Sequence, residues 1–247
     1  MSATVSGLWR HPIKSHGREE ITEVQLDAGQ TMPGDRVWAV AHEKSTADGR
    51  EWVPCANFSR VSKAPELMAI TARLEPEAGS VTLSHPRRPD LTFEPDGDAS
   101  AFLSWVAPLM PDDRAASARI IRVSGRDMTD SDFPSVTLCN LSSHRAVEQR
   151  LAQPLSIHRW RGNIWIDGLA PWEEFDWIGR RVRIGEAILE VRERTDRCAA
   201  TTANPETGRR DADTLGALES WGHQDFSVRA EVIEGGSVRP GDEVFAL

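Results

Sequence analysis

The sequence predicts a mainly β fold with a few short helices (α+β), arranged as an N-terminal β-barrel-like domain followed by a second β-barrel domain. Most apolar runs are short and are bounded by Gly, Pro and Asp, as in strands joined by tight turns. Many short strands at close spacing are typical of barrels rather than of a doubly wound sheet. The length of 247 residues allows one large domain or two small ones.

The first half of the chain contains seven of the predicted strands and one predicted helix. Asp98 is the expected N-cap of this helix, which covers residues 99–107 and ends at Pro108. The predicted strands are residues 4–9, 21–26, 37–42, 67–74, 81–84, 91–93 and 119–123. A polar, turn-rich segment follows at residues 124–134, and there we place the boundary between domains at residues 1–123 and 124–247.

The second half alternates strands with two helices. Ser142 or Ser143 is the expected cap of a helix that runs to about residue 152 and ends before Pro154. Asp213 is the expected cap of a shorter helix. The predicted strands are residues 136–139, 163–167, 181–184, 187–192, 197–202, 226–234 and 243–245.

Charge and composition exclude several classes of protein. The net charge of −9 argues against general nucleic-acid binding, which needs a basic surface. No apolar segment is long enough to span a bilayer, and the first residues lack the apolar stretch of a signal peptide. Three widely spaced cysteines indicate a reducing compartment, with Cys55 and Cys139 expected to be inert, half-buried thiols. We therefore expect a cytoplasmic protein that binds neither nucleic acid nor membrane.

The third cysteine, Cys198, lies between a group of arginines and an Asn-Pro…Thr-Gly turn. Nearby cations lower the pKa of a thiol, and Arg192, Arg194 and Arg197 precede it. The thiolate is the form that acts as a nucleophile or metal ligand. Taken alone, Cys198 is compatible with a nucleophile, a redox sensor or a metal ligand.

Two predicted turns carry further polar side chains. Lys14 and Ser15 follow the first strand, and together they offer a point charge and a hydroxyl donor to a phosphate. An ordinary polar turn is the alternative. Arg36 begins a strand just after Gly34 and Asp35, where pairing with a carboxylate is the simpler interpretation.

A third polar cluster precedes the strand at residues 163–167. In an extended segment Arg159 and Arg161 share one face, with Asn163 next in the register. Two guanidiniums and an amide suit a phosphate or a polar heterocycle, because Arg donates hydrogen bonds in a bidentate fork. A solvated strand face is the alternative.

Taken in order, these segments resemble the MOSC family with its companion N-terminal barrel domain, the architecture of the mitochondrial amidoxime-reducing component and its bacterial relatives. Gly162 stands where the family pattern has proline, which predicts a looser turn. The motifs that carry the resemblance are His-Pro-Ile-Lys-Ser at 11–15, Gly-Asp-Arg-Val-Trp at 34–38, the segment 135–143, Arg-Trp-Arg-Gly-Asn-Ile at 159–164, and the run from Arg-Cys to Thr-Gly at 197–208.

The resemblance implies a mononuclear molybdenum cofactor (Mo-molybdopterin), with Cys198 as the catalytic residue that supplies a thiolate to the metal. Ser143 would add a donor at a helix N-terminus, a natural anion site. Arg197 would compensate the charge of the thiolate beside an anionic cofactor. A weaker association with pyridoxal phosphate comes with the family. The positions that match residues holding the pterin and its phosphate are Lys14, Ser15, Arg36, Arg161 and Asn163.

The implied activity is the reduction of N-hydroxylated or N-oxide compounds. No four-cysteine cluster follows the last strand, so we expect electrons from a separate protein of the ferredoxin or cytochrome/flavin reductase type. Two alternatives stay open: a sulfur carrier that uses a Cys198 persulfide in cofactor or metal-cluster assembly, and a non-catalytic carrier of the cofactor. A sulfur carrier has no need of pterin-binding residues, so Lys14, Ser15, Arg161 and Asn163 favour the reductase.

Overall fold

The computed structural model describes residues 3–247 and is mainly β over that range. Its helices are α1 (Ser100–Val106), α2 (Leu141–Leu151) and α3 (Thr214–Glu219). Its strands are β1 (Ala3–Arg10), β2 (Glu19–Ile21), β3 (Val24–Leu26), β4 (Ala39–His42), β5 (Thr71–Glu75), β6 (Ser80–His85), β7 (Arg88–Phe93), β8 (Ser117–Ile121), β9 (Val136–Asn140), β10 (Ile164–Asp167), β11 (Arg181–Ile184), β12 (Ala187–Asp196), β13 (Asp225–Glu234), β14 (Gly236–Val238) and β15 (Glu243–Ala246).

Seven strands close a β-barrel in the order β10-β9-β13-β12-β11-β15-β1, and β2 attaches outside β1. The closing pair is β1 with β10, where Leu8 lies opposite Ile164 in an antiparallel register. On its other side β1 pairs with β15, placing Ala3 opposite Val244. The first strand of the chain is therefore part of a barrel whose other strands all come from the second half.

The barrel is filled by side chains that alternate inward along each strand. In β12, for example, Leu189 and Val191 are fully buried while Arg192 is exposed. β9 and β10 are buried on both faces, because α2 and α3 cover the outside of the barrel there. That outer layer buries the stacked rings of Trp160 and Phe226, whose centroids are 3.8 Å apart.

The rest of the first half forms a second core beside the barrel. A three-stranded sheet, β5-β6-β7, and the β4–β8 ladder pack with α1 around Leu83, Phe102 and Trp105. The predicted fold class, mainly β with short helices and barrel architecture, is confirmed. The domain boundary near residue 124 stays a prediction, and β1 and β3 pair with strands from beyond it.

Three predicted strands differ from the structure. Residues 67–74 begin as a 3-10 turn, Pro65–Ala69, in which Pro65 takes the first position and has no N–H to give to a strand ladder. Residues 21–26 form two strands, since β2 pairs with β1 while β3 pairs with β14. β12 ends at Asp196, and residues 199–202 form a 3-10 turn rather than a strand.

The cap of α2 also differs from the prediction. Asn140, rather than Ser142 or Ser143, is the N-cap, and its side-chain oxygen accepts a hydrogen bond from the backbone N–H of Ser142 at 2.8 Å. No helix between residues 3 and 247 combines the length and apolar character needed to cross a bilayer.

Candidate functional site

A cavity of about 420 Å³ lies where the barrel meets the second core. The turn after β1, Arg36 just before β4, and a loop between β4 and β5 line it from the first half. The turn before β10 and the end of β12 line it from the second half. This volume is in the range of ordinary small-molecule and cofactor sites.

The charge of the cavity wall is opposite to that of the whole chain. Seven basic side chains line it against two carboxylates, although the protein carries a net charge of −9. Such a concentration of cations favours an anionic ligand. The basic residues are Lys14, Arg36, Arg60, Arg159, Arg161, Arg197 and Arg229, and the acidic ones are Asp130 and Asp196.

Three cavity residues have a left-handed backbone that is rare outside glycine. Their φ angles are 65° at Ser15, 56° at Arg36 and 50° at Arg161. Each such conformation costs on the order of 1–3 kcal/mol and persists only where surrounding structure imposes it. At Arg36, hydrogen bonds of 2.7 Å on both sides impose it, since its N–H donates to His11 and its carbonyl accepts from Met128. The polar side chains of the wall are therefore held in place before any ligand binds.

The guanidiniums of Arg36 and Arg161 lie side by side in this wall. Arg36 pairs with Asp35, as the simpler interpretation of the sequence expected, and its Nη2 also donates to the carbonyl of Arg161 at 2.9 Å. Arg161 Nη2 donates to the Gly17 carbonyl at 3.2 Å, but its Nη1 is buried without a partner. Burial, with the repulsion of Arg36, lowers the pKa of Arg161 to about 9.

A buried cationic donor without a protein acceptor is well placed to bind an anion. An anionic group at Arg161 Nη1 would satisfy the donor and offset the repulsion between Arg36 and Arg161. The donor set therefore fits the phosphate-bearing pterin that the sequence implies. Lys14 reinforces this wall, although its Nζ now donates to Asp130 and to the Met128 carbonyl, both at 2.6 Å.

Cys198 lies just after β12 and is exposed at the cavity wall. Its neighbour Arg197 extends its guanidinium into the structure and supports this part of the wall. Arg197 donates to the carbonyls of Trp160 at 2.8 Å and Phe226 at 2.7 Å, and its guanidinium packs against both rings. Burial lowers the pKa of Arg197 to about 10. Because Arg197 is fixed by these contacts, the backbone that presents Cys198 is fixed as well.

Six of the predicted site residues converge on the cavity, and two do not. Asn163 is fully buried, where its side chain accepts from the Thr137 N–H at 3.0 Å and donates to the Trp9 carbonyl at 3.1 Å. Ser143 is also buried and donates to Glu174 at 2.8 Å. Both side chains therefore have internal hydrogen-bond partners and do not line the cavity. The converging residues are Lys14, Ser15, Arg36, Arg161, Arg197 and Cys198.

The arginines close in sequence to Arg161 and Cys198 are arranged differently from the sequence prediction. Residues 157–160 form a 3-10 turn, so Arg159 and Arg161 do not share a strand face, and Arg159 binds Asp211 at 2.5 Å. Arg192 pairs with Glu231, and Arg194 packs on an aromatic ring, so neither lines the cavity.

Thr195 and Arg60 are among the residues of the cavity wall that sequence reasoning missed. Thr195 is 6% exposed, and its hydroxyl lines the cavity without a hydrogen-bond partner. Its position three residues before Cys198 was the available signal. Arg60 comes from an irregular loop without a motif, and only the folded structure brings it to the site.

The predicted half-burial holds for Cys55 but not for Cys139, and the inert role of both thiols stays a prediction. Cys139 is fully buried, and burial raises the pKa of its thiol to about 12. Cys55 is half-buried on the wall of the cavity itself, where Arg60 donates to its sulfur at 3.0 Å.

Gly162 packs directly against the buried Cys139, which explains why a side chain is absent there. A Cβ at position 162 would lie 2.1 Å from the sulfur of Cys139. We expect Gly162→Ala to lower the free energy of unfolding by about 1–3 kcal/mol through overpacking. Urea unfolding measures this, and adding Cys139→Ala should restore part of the loss. A Gly162→Ala variant as stable as the parent would contradict this packing.

Two buried histidines behind the Lys14–Ser15 turn predict acid sensitivity. Burial lowers the pKa of His11 to about 3 and of His16 to about 4, from an unfolded value near 6.5. The unfolded chain therefore binds more protons between pH 6.5 and 4, so the free energy of unfolding falls as the pH drops through this range.

Replacing His16 isolates one of these groups, because the carboxylates titrate alike in both proteins. We expect His16→Gln to reduce the slope of stability against pH by up to about 1.4 kcal/mol per pH unit between pH 6 and 4.5. Urea unfolding at several pH values measures this slope. Parallel curves for the two proteins would show that His16 is protonated in the folded state.

The described part of the chain contains no group of three His, Cys, Asp or Glu side chains close enough to hold a metal ion. A metal bound at Cys198 would accordingly need most of its ligands from a non-protein group, as the pterin of the molybdenum cofactor provides.

Comparisons with known proteins place the chain in a family. The MOSC domain model matches residues 126–245, and the MOSC N-terminal beta barrel domain model matches residues 2–138. Mitochondrial amidoxime-reducing component 1 of Mus musculus is 23% identical, over 99% of this chain and 82% of its own length. Molybdenum cofactor sulfurase of Drosophila grimshawi is 33% identical over 105 residues, which cover 39% of this chain and 13% of the sulfurase.

A solved structure shares the fold. The YUAD protein from Bacillus subtilis superposes with a TM-score of 0.50 at 14% identity, covering 99% of this chain and 94% of that chain. Because the match to the N-terminal barrel model extends over more than half of the residues, the family is established. The chain belongs to the MOSC family and carries that family's N-terminal β-barrel domain.

Proposed function

We propose that this protein binds the molybdenum cofactor in the basic cavity and reduces N-hydroxylated or N-oxide compounds. The observation that carries the proposal is the buried, unpartnered donor of Arg161 in a strongly basic wall that also presents Cys198. A phosphate would accept hydrogen bonds from this donor, and the Cys198 thiolate would bind a metal. The likeness to the amidoxime-reducing component supports the choice of reaction.

The residues divide into those that hold the cofactor and those that support them. Arg36, Arg161 and Lys14 would bind the phosphate and the pterin, with the Ser15 hydroxyl as a further donor. When bound, the cofactor supplies a metal that changes oxidation state as oxygen leaves the substrate. Cys198 would be the protein's ligand to that metal.

Asn163 contributes indirectly by joining two walls of the site. Its amide ties the Thr137 backbone in β9 to the Trp9 backbone in β1, at 3.0 and 3.1 Å. β1 leads directly into the turn that carries Lys14. The family motif residue is therefore a positioning residue for the anion-binding turn.

The reaction consumes electrons that the chain itself does not store. Reduction of an N-hydroxy group breaks the N–O bond, takes up two electrons and two protons, and releases water. We propose that the electrons come from a separate donor protein of the ferredoxin or cytochrome/flavin reductase type. The protons come from solvent, which reaches the exposed Cys198 side of the cavity. We further propose that the protein acts in the cytoplasm, without nucleic-acid or membrane partners.

The test is to purify the protein anaerobically from a host that makes the cofactor. Molybdenum and pterin per chain are measured, and benzamidoxime reduction is assayed with reduced methyl viologen as the donor. We expect near-stoichiometric metal and measurable amidine. A chain without molybdenum from such a host would overturn the proposal.

A sulfur carrier is the second candidate, favoured by the exposed Cys198 and by the local likeness to molybdenum cofactor sulfurase. Mass spectrometry of the isolated protein would then find one extra sulfur on Cys198. A non-catalytic carrier is a further outcome of the same assay, in which the cofactor binds tightly and no N-oxygenated compound is reduced. Pyridoxal phosphate would need an uncommitted lysine for its Schiff base, and Lys14, the lysine of this wall, is paired with Asp130.

A further inference from the structure

One side of the cavity comes from an irregular loop that the proposed cofactor site does not use. The loop joins β4 to the 3-10 turn at residues 65–69 and lines the cavity with Trp52, Pro54, Arg60 and Val61. Trp52 is fixed there, since its indole N–H donates to the Thr129 carbonyl at 2.9 Å. This side is thus mainly apolar and carries one cation.

Among the residues that the structure describes, most of the other cations of the wall are paired with a carboxylate, whereas Arg60 is not. Four of the seven pair with a carboxylate: Lys14 with Asp130, Arg36 with Asp35, Arg159 with Asp211 and Arg229 with Glu193. Within residues 3–247, Arg60, Arg161 and Arg197 have no such ion pair.

Arg161 and Arg197 are both close to the proposed cofactor site, and backbone carbonyls hold each of them. The Arg60 guanidinium donates to the sulfur of Cys55 at 3.0 Å. A guanidinium carries five N–H donors, so most of those of Arg60 remain available. An arginine with free donors, beside an apolar wall and within the same cavity as Cys198, matches a ligand with an apolar body and an anionic end.

We propose that Arg60 recognises a carboxylate on the substrate, so that the preferred substrates are N-hydroxylated compounds with an apolar body and a carboxylate. Trp52, Pro54 and Val61 contact the apolar body, and Arg60 binds the carboxylate while the N-hydroxy group faces the Cys198 side. This inference rests on the proposed function, because it names the substrate class of the same cavity.

The test compares two substrates that differ only in charge. Benzamidoxime and 4-carboxybenzamidoxime are reduced with viologen by the loaded protein and by Arg60→Gln, with kcat and KM measured separately. We expect Arg60→Gln to raise KM for the carboxylated substrate about tenfold, because the change removes a charge-assisted hydrogen bond. KM for the neutral substrate should change far less. Arg60→Lys should lie between, because it keeps the charge and loses the fork.

A matched control removes an arginine from the same loop without touching the cavity. The side chain of Arg50 is 89% exposed and pairs with Asp48, so Arg50→Gln tests whether net charge alone changes KM. We expect both substrates to behave as with the parent protein. An equal rise in KM for both substrates in Arg60→Gln would overturn the carboxylate assignment and leave the proposed function standing. An equal KM for both substrates in the parent protein would have the same consequence.

Binding of the products separates this failure from failure of the reaction. Titration calorimetry with benzamidine and 4-carboxybenzamidine measures recognition without turnover. Tighter binding of the carboxylated amidine, lost in Arg60→Gln, would support the inference even if no amidoxime were reduced. Equal binding of the two amidines would contradict it.

Discussion

Replacing Cys198 with serine is expected to abolish N-hydroxyl reduction while part of the cofactor stays bound. The proposed anchors of the cofactor, Arg36 and Arg161, come from other elements and are untouched by the change. Serine keeps the shape of the side chain but loses the thiolate that would bind the metal. Even outer partners of a metal ligand cost about 10–100-fold when removed, so we expect a loss of at least about 100-fold in kcat.

The measurement combines metal content with single-turnover kinetics on benzamidoxime. Because Cys198 is exposed, the variant should unfold at nearly the same temperature as the parent, so that a loss of activity reports chemistry rather than folding. Cys55→Ser removes the other thiol of the cavity and is the matched control, expected to keep most of the activity toward the neutral substrate. Activity retained in Cys198→Ser would show that Cys198 is not the metal ligand.

Replacing Arg161 with methionine is expected to separate cofactor binding from stability. A buried guanidinium that donates to an anion contributes about 1.5–3 kcal/mol, so cofactor affinity should fall by about 10- to 100-fold. The cofactor-free protein should lose little stability, because Arg161 Nη1 is already unpartnered and its charge lies against Arg36. Binding is measured by molybdenum retained after gel filtration, and stability by thermal unfolding of the cofactor-free protein.

Arg161→Lys is the companion variant, since it keeps the charge and loses the planar fork. We expect intermediate cofactor retention. If Arg161→Met retained the metal as the parent does, the anion would have to bind elsewhere in the cavity. A fall in stability as large as the fall in affinity would instead assign Arg161 a structural role.

Motif order in the sequence predicted which side chains meet, but not how each is used. Lys14, Arg36 and Cys198 are far apart in the chain and line one cavity, as the resemblance implied. Asn163 belongs to the same motif, yet its amide is consumed by two backbone groups. A motif specifies a position in the chain, whereas the direction of a side chain depends on partners that lie elsewhere in the sequence.

Local periodicity failed where tertiary partners decide the structure. The prediction of an extended segment at residues 159–163 missed the 3-10 turn that gives Arg161 its left-handed backbone. Closure of the barrel by β1 could not be predicted from local sequence patterns either, because the pairing residues are far apart in the chain: Leu8 pairs with Ile164, and Ala3 pairs with Val244. Arg60 was missed for a related reason, since irregular loops carry no periodic signal.

The position of β1 sets an order of events during synthesis. Lys14 is held beside the cavity by a strand whose partners, β10 and β15, emerge from the ribosome more than 150 residues later. Such distant pairings make folding slow, because the long intervening chain loses conformational entropy before the contacts between the paired strands form. We therefore expect the anion-binding wall to be completed only after β10 and β15 have been synthesised, and the proposed cofactor to be loaded after that point.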